Sequence, residues 1–87
     1  MFGNITIKEV KKQLGALVRL LRKRENLSQE ELAEKLGLSR LTIQQLEAGK
    51  NPTIETVLKV LQHFDLLEDF SRYIDGHSNN IDMDSLY

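Results

Sequence analysis

The 87-residue chain has no cysteine and no tryptophan, a single proline, and aromatic side chains at only 6% of its positions. Without cysteine there can be no disulfide framework, no thiolate zinc site and no thiol nucleophile. A reducing, cytoplasmic setting is expected. No apolar run approaches the ~20 residues needed to span a bilayer, so no membrane partner is expected. The N-terminus lacks the basic start and apolar stretch of a secretory signal. There is no glycine-rich phosphate loop and no His or carboxylate set at metal-ligand spacing. His63 has no second ligand at a suitable offset, and it reads as a helix-surface residue. Glu30, Glu31 and Glu34 read as carboxylates on a solvated face rather than an acid/base pair. No enzyme activity, cofactor or metal is therefore expected. The length allows one domain whose core is near the lower limit for independent folding. Scarce aromatics and strong helical periodicity predict an all-α fold.

What the chain does contain is charge, unevenly distributed. Residues 1–64 carry eleven Lys and Arg against seven acids, a balance of +4; residues 65–87 carry Arg72 against six acids, a balance of −5; together these give the formal net charge of −1. A basic body with an acidic end is a polarity that the neutral total conceals. The basic excess is modest, so affinity for a polyanion would lean on dimerisation.

The stretch QEELAEKLGLSRLTIQQLEAG, from Gln29 to Gly49, carries the densest pattern. Leu32, Ala33 and Leu36 share one helix face. Ser28 with Glu31 makes a capping box, and Gly37 offers a left-handed helix stop. Ser39 can cap a following helix in which Ile43 and Leu46 point inward. Arg40, Leu41, Gln44 and Gln45 are left on its outer side. Arg and Gln carry the forked donors and acceptors that pair with guanine and adenine edges, and Leu41 would suit a thymine methyl. Spacing alone also allows an ordinary helical hairpin in a small bundle.

Gln29, Leu32, Ala33, Gly37, Leu38, Ser39, Thr42, Ile43, Glu47 and Gly49 resemble, without a gap, the helix-turn-helix of the Cro/C1-type (Xre) family, and Asn51-Pro52-Thr53 resembles the family's next step. The resemblance covers roughly residues 14 to 64. It implies a five-helix, lambda-repressor-like, double-stranded DNA-binding domain with short flexible termini. Arg40, Leu41, Gln44 and Gln45 would then read bases. Gln29, Ser39, Thr42, Lys50 and Asn51 would hold phosphates, with Arg24 near enough to join them. The resemblance also implies a partly buried ion pair between Arg22 and Glu47, locking the first helix to the third.

Elsewhere, Thr6 with Glu9 predicts a second capping box and a first helix from about Ile7 to about Glu25. Ile5 and Ile7 flanking Thr6 also allow a brief β segment. The seam of that helix reads Ile7, Val10, Leu14, Leu17, Leu21, with Val18 and Leu20 widening it. Lys8, Lys11 and Lys12 read as solvated. Thr53 should cap a fourth helix to about Phe64, with Val57, Leu58, Leu61 and Phe64 inward and Val60 surplus. Leu66, Leu67, Phe70, Tyr73 and Ile74 form a short fifth helix too apolar for its length, which marks a homodimer interface. Residues 1–75 are thus one domain. Residues 76–87 read as a polar, acidic, flexible tail, in which Ile81, Met83, Leu86 and Tyr87 could order on a partner. The expected function is a sequence-specific transcriptional regulator, a repressor, acting as a homodimer on a palindromic operator. The alternative comes from ETVLKVLQHFDLLEDF, which resembles HipB-type antitoxins: a toxin-binding protein that also represses its own operon.

Overall fold

The computed structural model describes residues 3–80, and within them the chain is built from five helices. They are α1 (Ile7–Arg24), α2 (Gln29–Leu36), α3 (Arg40–Glu47), α4 (Ile54–His63) and α5 (Leu67–Asn80). No helix among the described residues is long and apolar enough to cross a membrane.

Four of the helices start the same way. The hydroxyls of Thr6, Ser28, Ser39 and Thr53 accept the backbone N–H three residues on, from Glu9, Glu31, Thr42 and Thr56. Each satisfies a first-turn donor that would otherwise be orphaned. At Ser28 the box is reciprocal, because its own N–H donates to the Glu31 carboxylate at 2.8 Å. At Thr6 it is half made: the Glu9 carboxylate takes the Thr6 hydroxyl at 3.1 Å rather than the backbone N–H.

The first four helices also end alike. Asn26, Gly37, Gly49 and Asp65 adopt left-handed backbone, with φ of 58°, 68°, 75° and 61°. The residue after each donates back into the last turn: Leu27 to Arg22, Leu38 to Ala33, Lys50 to Gln45 and Leu66 to Leu61, at 3.1, 2.8, 2.9 and 2.7 Å. This is Schellman pairing, and it folds the following side chain onto the helix. Leu27 and Leu38 accordingly pack against the core.

That core is Val18, Leu32, Ala33, Ile43, Leu46 and Val60, each no more than 2% exposed. Leu14, Leu27, Leu36, Leu38, Val57 and Phe64 pack around it. Full burial of each Leu, Ile or Val is worth about 1.5–3 kcal/mol. The members come from α1, α2, α3 and α4, and α5 supplies none. Glu25, just past α1, meets His63 at the end of α4 with 3.1 Å between Oε1 and Nε2.

Two expected faces are corrected. On α1 the buried line is Gly15, Val18 and Arg22. Ile7, Val10, Leu17 and Leu20, expected in the seam or beside it, are 76%, 48%, 39% and 59% exposed. The helix is rotated because the end of α3 approaches it at Gly15. A β-carbon there would lie 2.6 Å from the carbonyl oxygens of both Leu46 and Glu47. On α4 the supposedly surplus Val60 is 1% exposed, and Thr56 one turn earlier is buried with it.

The fifth helix packs mainly on α4. It runs to Asn80 and takes in the first residues of the segment expected to be a tail. Ile81, Met83, Leu86 and Tyr87 lie outside the described residues.

Candidate nucleic-acid interface

Ser39 starts α3 with its outer residues in solvent. Its hydroxyl accepts the Thr42 N–H at 3.1 Å and lies 2.8 Å from the Thr42 hydroxyl. Ile43 and Leu46 anchor the inner face at 0% and 1% exposure. With these two inward, Arg40, Leu41, Gln44 and Gln45 fall on the exposed side. Leu41 is 58% exposed, an unusual cost for a leucine on a short helix. The outer face of α3 therefore presents one guanidinium, two amides and one branched apolar group. That set can make bidentate hydrogen bonds to purine edges and contact a thymine methyl.

The orientation of α3 is set at its other end. Arg22 donates from Nε to Glu47 Oε2 at 2.6 Å and from Nη2 to Oε1 at 2.9 Å, a fork-on-fork geometry. Its remaining terminal nitrogen donates to the Leu27 carbonyl at 2.8 Å. The two side chains are only 9% and 4% exposed. The hydrogen-bonded Glu47 carboxylate holds the Arg22 guanidinium above its ordinary pKa, outweighing the opposing effect of burial. Gln29, expected to hold a phosphate, turns its side chain inward, and its amide nitrogen donates to Glu47 Oε1 at 3.1 Å. Gln29 is the first residue of α2, where helix-start N–H groups favour anions.

After α3 the Schellman turn at Gly49 brings Lys50 and Asn51 to the surface. The Asn51 side-chain oxygen accepts from the Lys11 ammonium, an exposed contact that ties Lys11 to this loop. Lys12 lies against Gly49, with its Cγ 3.2 Å from where a β-carbon would sit. Arg24 is exposed at the end of α1, on a different side from the cations that face the end of α3.

A second surface lies between α4 and α5. Ile54, Leu58, Leu67, Phe70, Ser71 and Ile74 line an apolar groove. Ile54 and Ile74 are 65% and 48% exposed. Leu66 sits in the turn before α5. Tyr73 is 63% exposed at the groove's flank, its ring 4.5 Å from that of His77.

Gly15 and Ile54 were not singled out from the sequence. A glycine inside a strong helical pattern was the available signal for Gly15, since it costs ~1 kcal/mol there and needs a reason. For Ile54 the signal was its spacing, since it heads the i, i+3, i+4, i+7 series with Val57, Leu58 and Leu61.

Two short capped helices joined by a left-handed turn, the second carrying a polar forked face, define a helix-turn-helix protein. The chain belongs to the Cro/C1-type helix-turn-helix family: the family model described as Helix-turn-helix matches residues 18–70. An uncharacterized HTH-type transcriptional regulator of Sinorhizobium fredii is 55% identical over 51 residues, 56% of this chain and 66% of that protein. One from Methanocaldococcus jannaschii is 44% identical over 52 residues, 58% of this chain and 79% of its own length. A Methanocella arvoryzae protein named for an HTH-type transcriptional regulatory role is 47% identical over 51 residues, which are 59% of this chain but 16% of the relative.

Proposed function

We propose that the chain is a transcriptional repressor that binds a palindromic DNA operator as a homodimer. The observation that carries this reading is the exposed Arg40, Leu41, Gln44 and Gln45 face on a helix held rigid by the Arg22–Glu47 pair. α3 enters the major groove. Arg40 takes the O6 and N7 of a guanine, Gln45 an adenine, and Leu41 a thymine methyl. Gln29, Ser39, Thr42, Lys50 and Asn51 hold phosphates on either side, Gln29 and Ser39 through backbone N–H groups at helix starts. The relatives named as transcriptional regulators support this reading.

The α4–α5 groove takes the same groove of a second copy. Leu67, Phe70 and Ile74 with Ile54 and Leu58 form the apolar contact, Leu66 and Tyr73 its rim. A two-fold pair of this kind presents its recognition helices about 34 Å apart, one turn of duplex.

Selection of bound sequences from random duplexes tests the reading. Two half-sites in inverted repeat are expected, and Arg40→Ala should relax one position in each at a cost of about 1–3 kcal/mol. Equal weakening on every sequence would make Arg40 a phosphate contact. A chain that stays monomeric and recovers no sequence would overturn the reading; an adjacent gene for a kinase-like toxin would favour the antitoxin alternative, in which the chain also represses its own operon.

A further inference from the structure

α1 carries more cations than its packing uses. At about 100° per residue, Lys8, Lys12, Arg19 and Lys23 fall in one sector of the helix, away from Val10 and Leu17. In the fold, Lys12, Arg19 and Lys23 line a trough together with Ala16 and Leu20 of α1 and Glu47 and Ala48 at the end of α3. The trough continues past Arg19 and Lys23 to Gln29 and Gln44, reaching the edge of the helix-turn-helix.

Its electrostatics are unbalanced. The carboxylate it contains, Glu47, is 4% exposed and spent on Arg22. Lys12, Arg19 and Lys23 are exposed, and none lies within 4.0 Å of a carboxylate among the described residues. The cations of α4 and α5 are paired instead. Lys59 sits 3.5 Å from Glu55, and Arg72 sits 3.3 Å from Asp69 and 3.6 Å from Glu68. Three unpaired like charges side by side repel one another, a cost that an anion in the trough would remove. From Lys12 to Lys23 the helix rises about 16 Å. A DNA strand carries a charge every ~3.4 Å of its axis, so this length meets more than one phosphate.

We propose that Lys12, Arg19 and Lys23 form a second backbone clamp, in which the trough between α1 and the end of α3 holds the phosphates flanking the groove that α3 enters. The inference rests on the proposed DNA reading and moves the α1 contribution from Arg24 to the opposite side of the helix. The clamp is blind to sequence: it adds affinity and orientation, while α3 supplies the base preference.

The test is a salt titration of full-length chain with the selected operator and with a random duplex. Arg19→Ala/Lys23→Ala should weaken both duplexes by the same factor and lower the log–log salt slope by about 2, near 0.9 per phosphate lost. The melting curve should be unchanged. The charge-preserving Arg19→Lys/Lys23→Arg should keep the wild-type slope. Wild type that binds with sequence preference, beside an alanine variant of unchanged slope, overturns the clamp alone. Wild type that binds no duplex overturns the clamp and the DNA reading together. A slope lowered by about 0.9 in Arg24→Ala, the same drop per charge removed, would also overturn the assignment, since the effect would then be general charge rather than the trough.

Discussion

α1–α4 and α5 spend their apolar residues differently. In the first four helices the large hydrophobics converge on Val18, Leu32, Ile43, Leu46 and Val60, and an internal ion pair ties α1 to α3. α5 has α4 as its main neighbour and adds nothing to that core. Its apolar residues instead line one side of a groove that is open to solvent. The first region is thus stabilised by contacts within the chain. The second gains little unless something covers it. A helix of this length is marginal in water on its own, so the apolar side of α5 makes physical sense as a surface for association. The cations of α4 and α5, Lys59 and Arg72, have carboxylate partners, while Lys12, Arg19 and Lys23 on α1 have none within 4.0 Å among the described residues.

The sharpest way to break this contrast is through the ion pair. Glu47→Ala leaves Arg22 buried without its carboxylate and should cost about 3–5 kcal/mol in chemical denaturation. A loss below about 1 kcal/mol would put the pair in the class of surface bridges.

In α5 the reverse is expected. Phe70→Asp should leave the α1–α4 melting transition in place and abolish the dimer, removing about 1.5–3 kcal/mol of burial per subunit. Sedimentation velocity reads the outcome. A dimer undisturbed by this change would move the interface away from the α4–α5 groove.

Gly15→Ala sharpens the picture inside the core. In an exposed helix the change stabilises by roughly 0.5–1 kcal/mol. Here the new methyl meets two backbone carbonyl oxygens at 2.6 Å. A destabilisation of about 1–3 kcal/mol is expected instead, because backbone cannot step aside as a side chain can. A rise in melting temperature would show that α1 is not held so closely.

The smallest effect is at the α2 cap. The Ser28 backbone N–H, followed by the Ser28 hydroxyl contact, lowers the Glu31 pKa. The unfolded carboxylate therefore binds its proton at higher pH than the folded one. Its contribution to stability is present above the usual Glu range near ~4.3 and fades as pH falls through the lowered folded value. Glu31→Gln keeps an acceptor for Ser28 and removes the titration. Wild type should lose stability relative to that variant only in acid, and a constant difference across pH would contradict the assignment.

The local grammar of the fold was legible in the chain. Ser28, Ser39, Thr53 and Gly37 announce where helices begin and end, because a cap or a left-handed turn involves only residues a few positions apart. The outer face of α3 was legible too, since burying Ile43 and Leu46 dictates what points away. The left-handed turns at Asn26 and Asp65 were less visible, because neither residue is committed to that conformation as glycine nearly is.

What the sequence by itself determined is therefore the boundaries of α1 to α4 and the side of α3 that faces out, both settled by neighbours within a turn or two. Tertiary structure alone decided how α1 is rotated, that Val60 is core, that Gln29 turns inward to Glu47, and that Lys12, Arg19 and Lys23 share one trough. Each of these depends on the approach of segments far apart in the chain. Arg22 and Glu47 are 25 residues apart and Lys11 and Asn51 are 40. A periodic pattern names a stripe of apolar residues, but where two helix backbones touch at Gly15 is a matter of packing, and that contact chooses which edge of the stripe is buried.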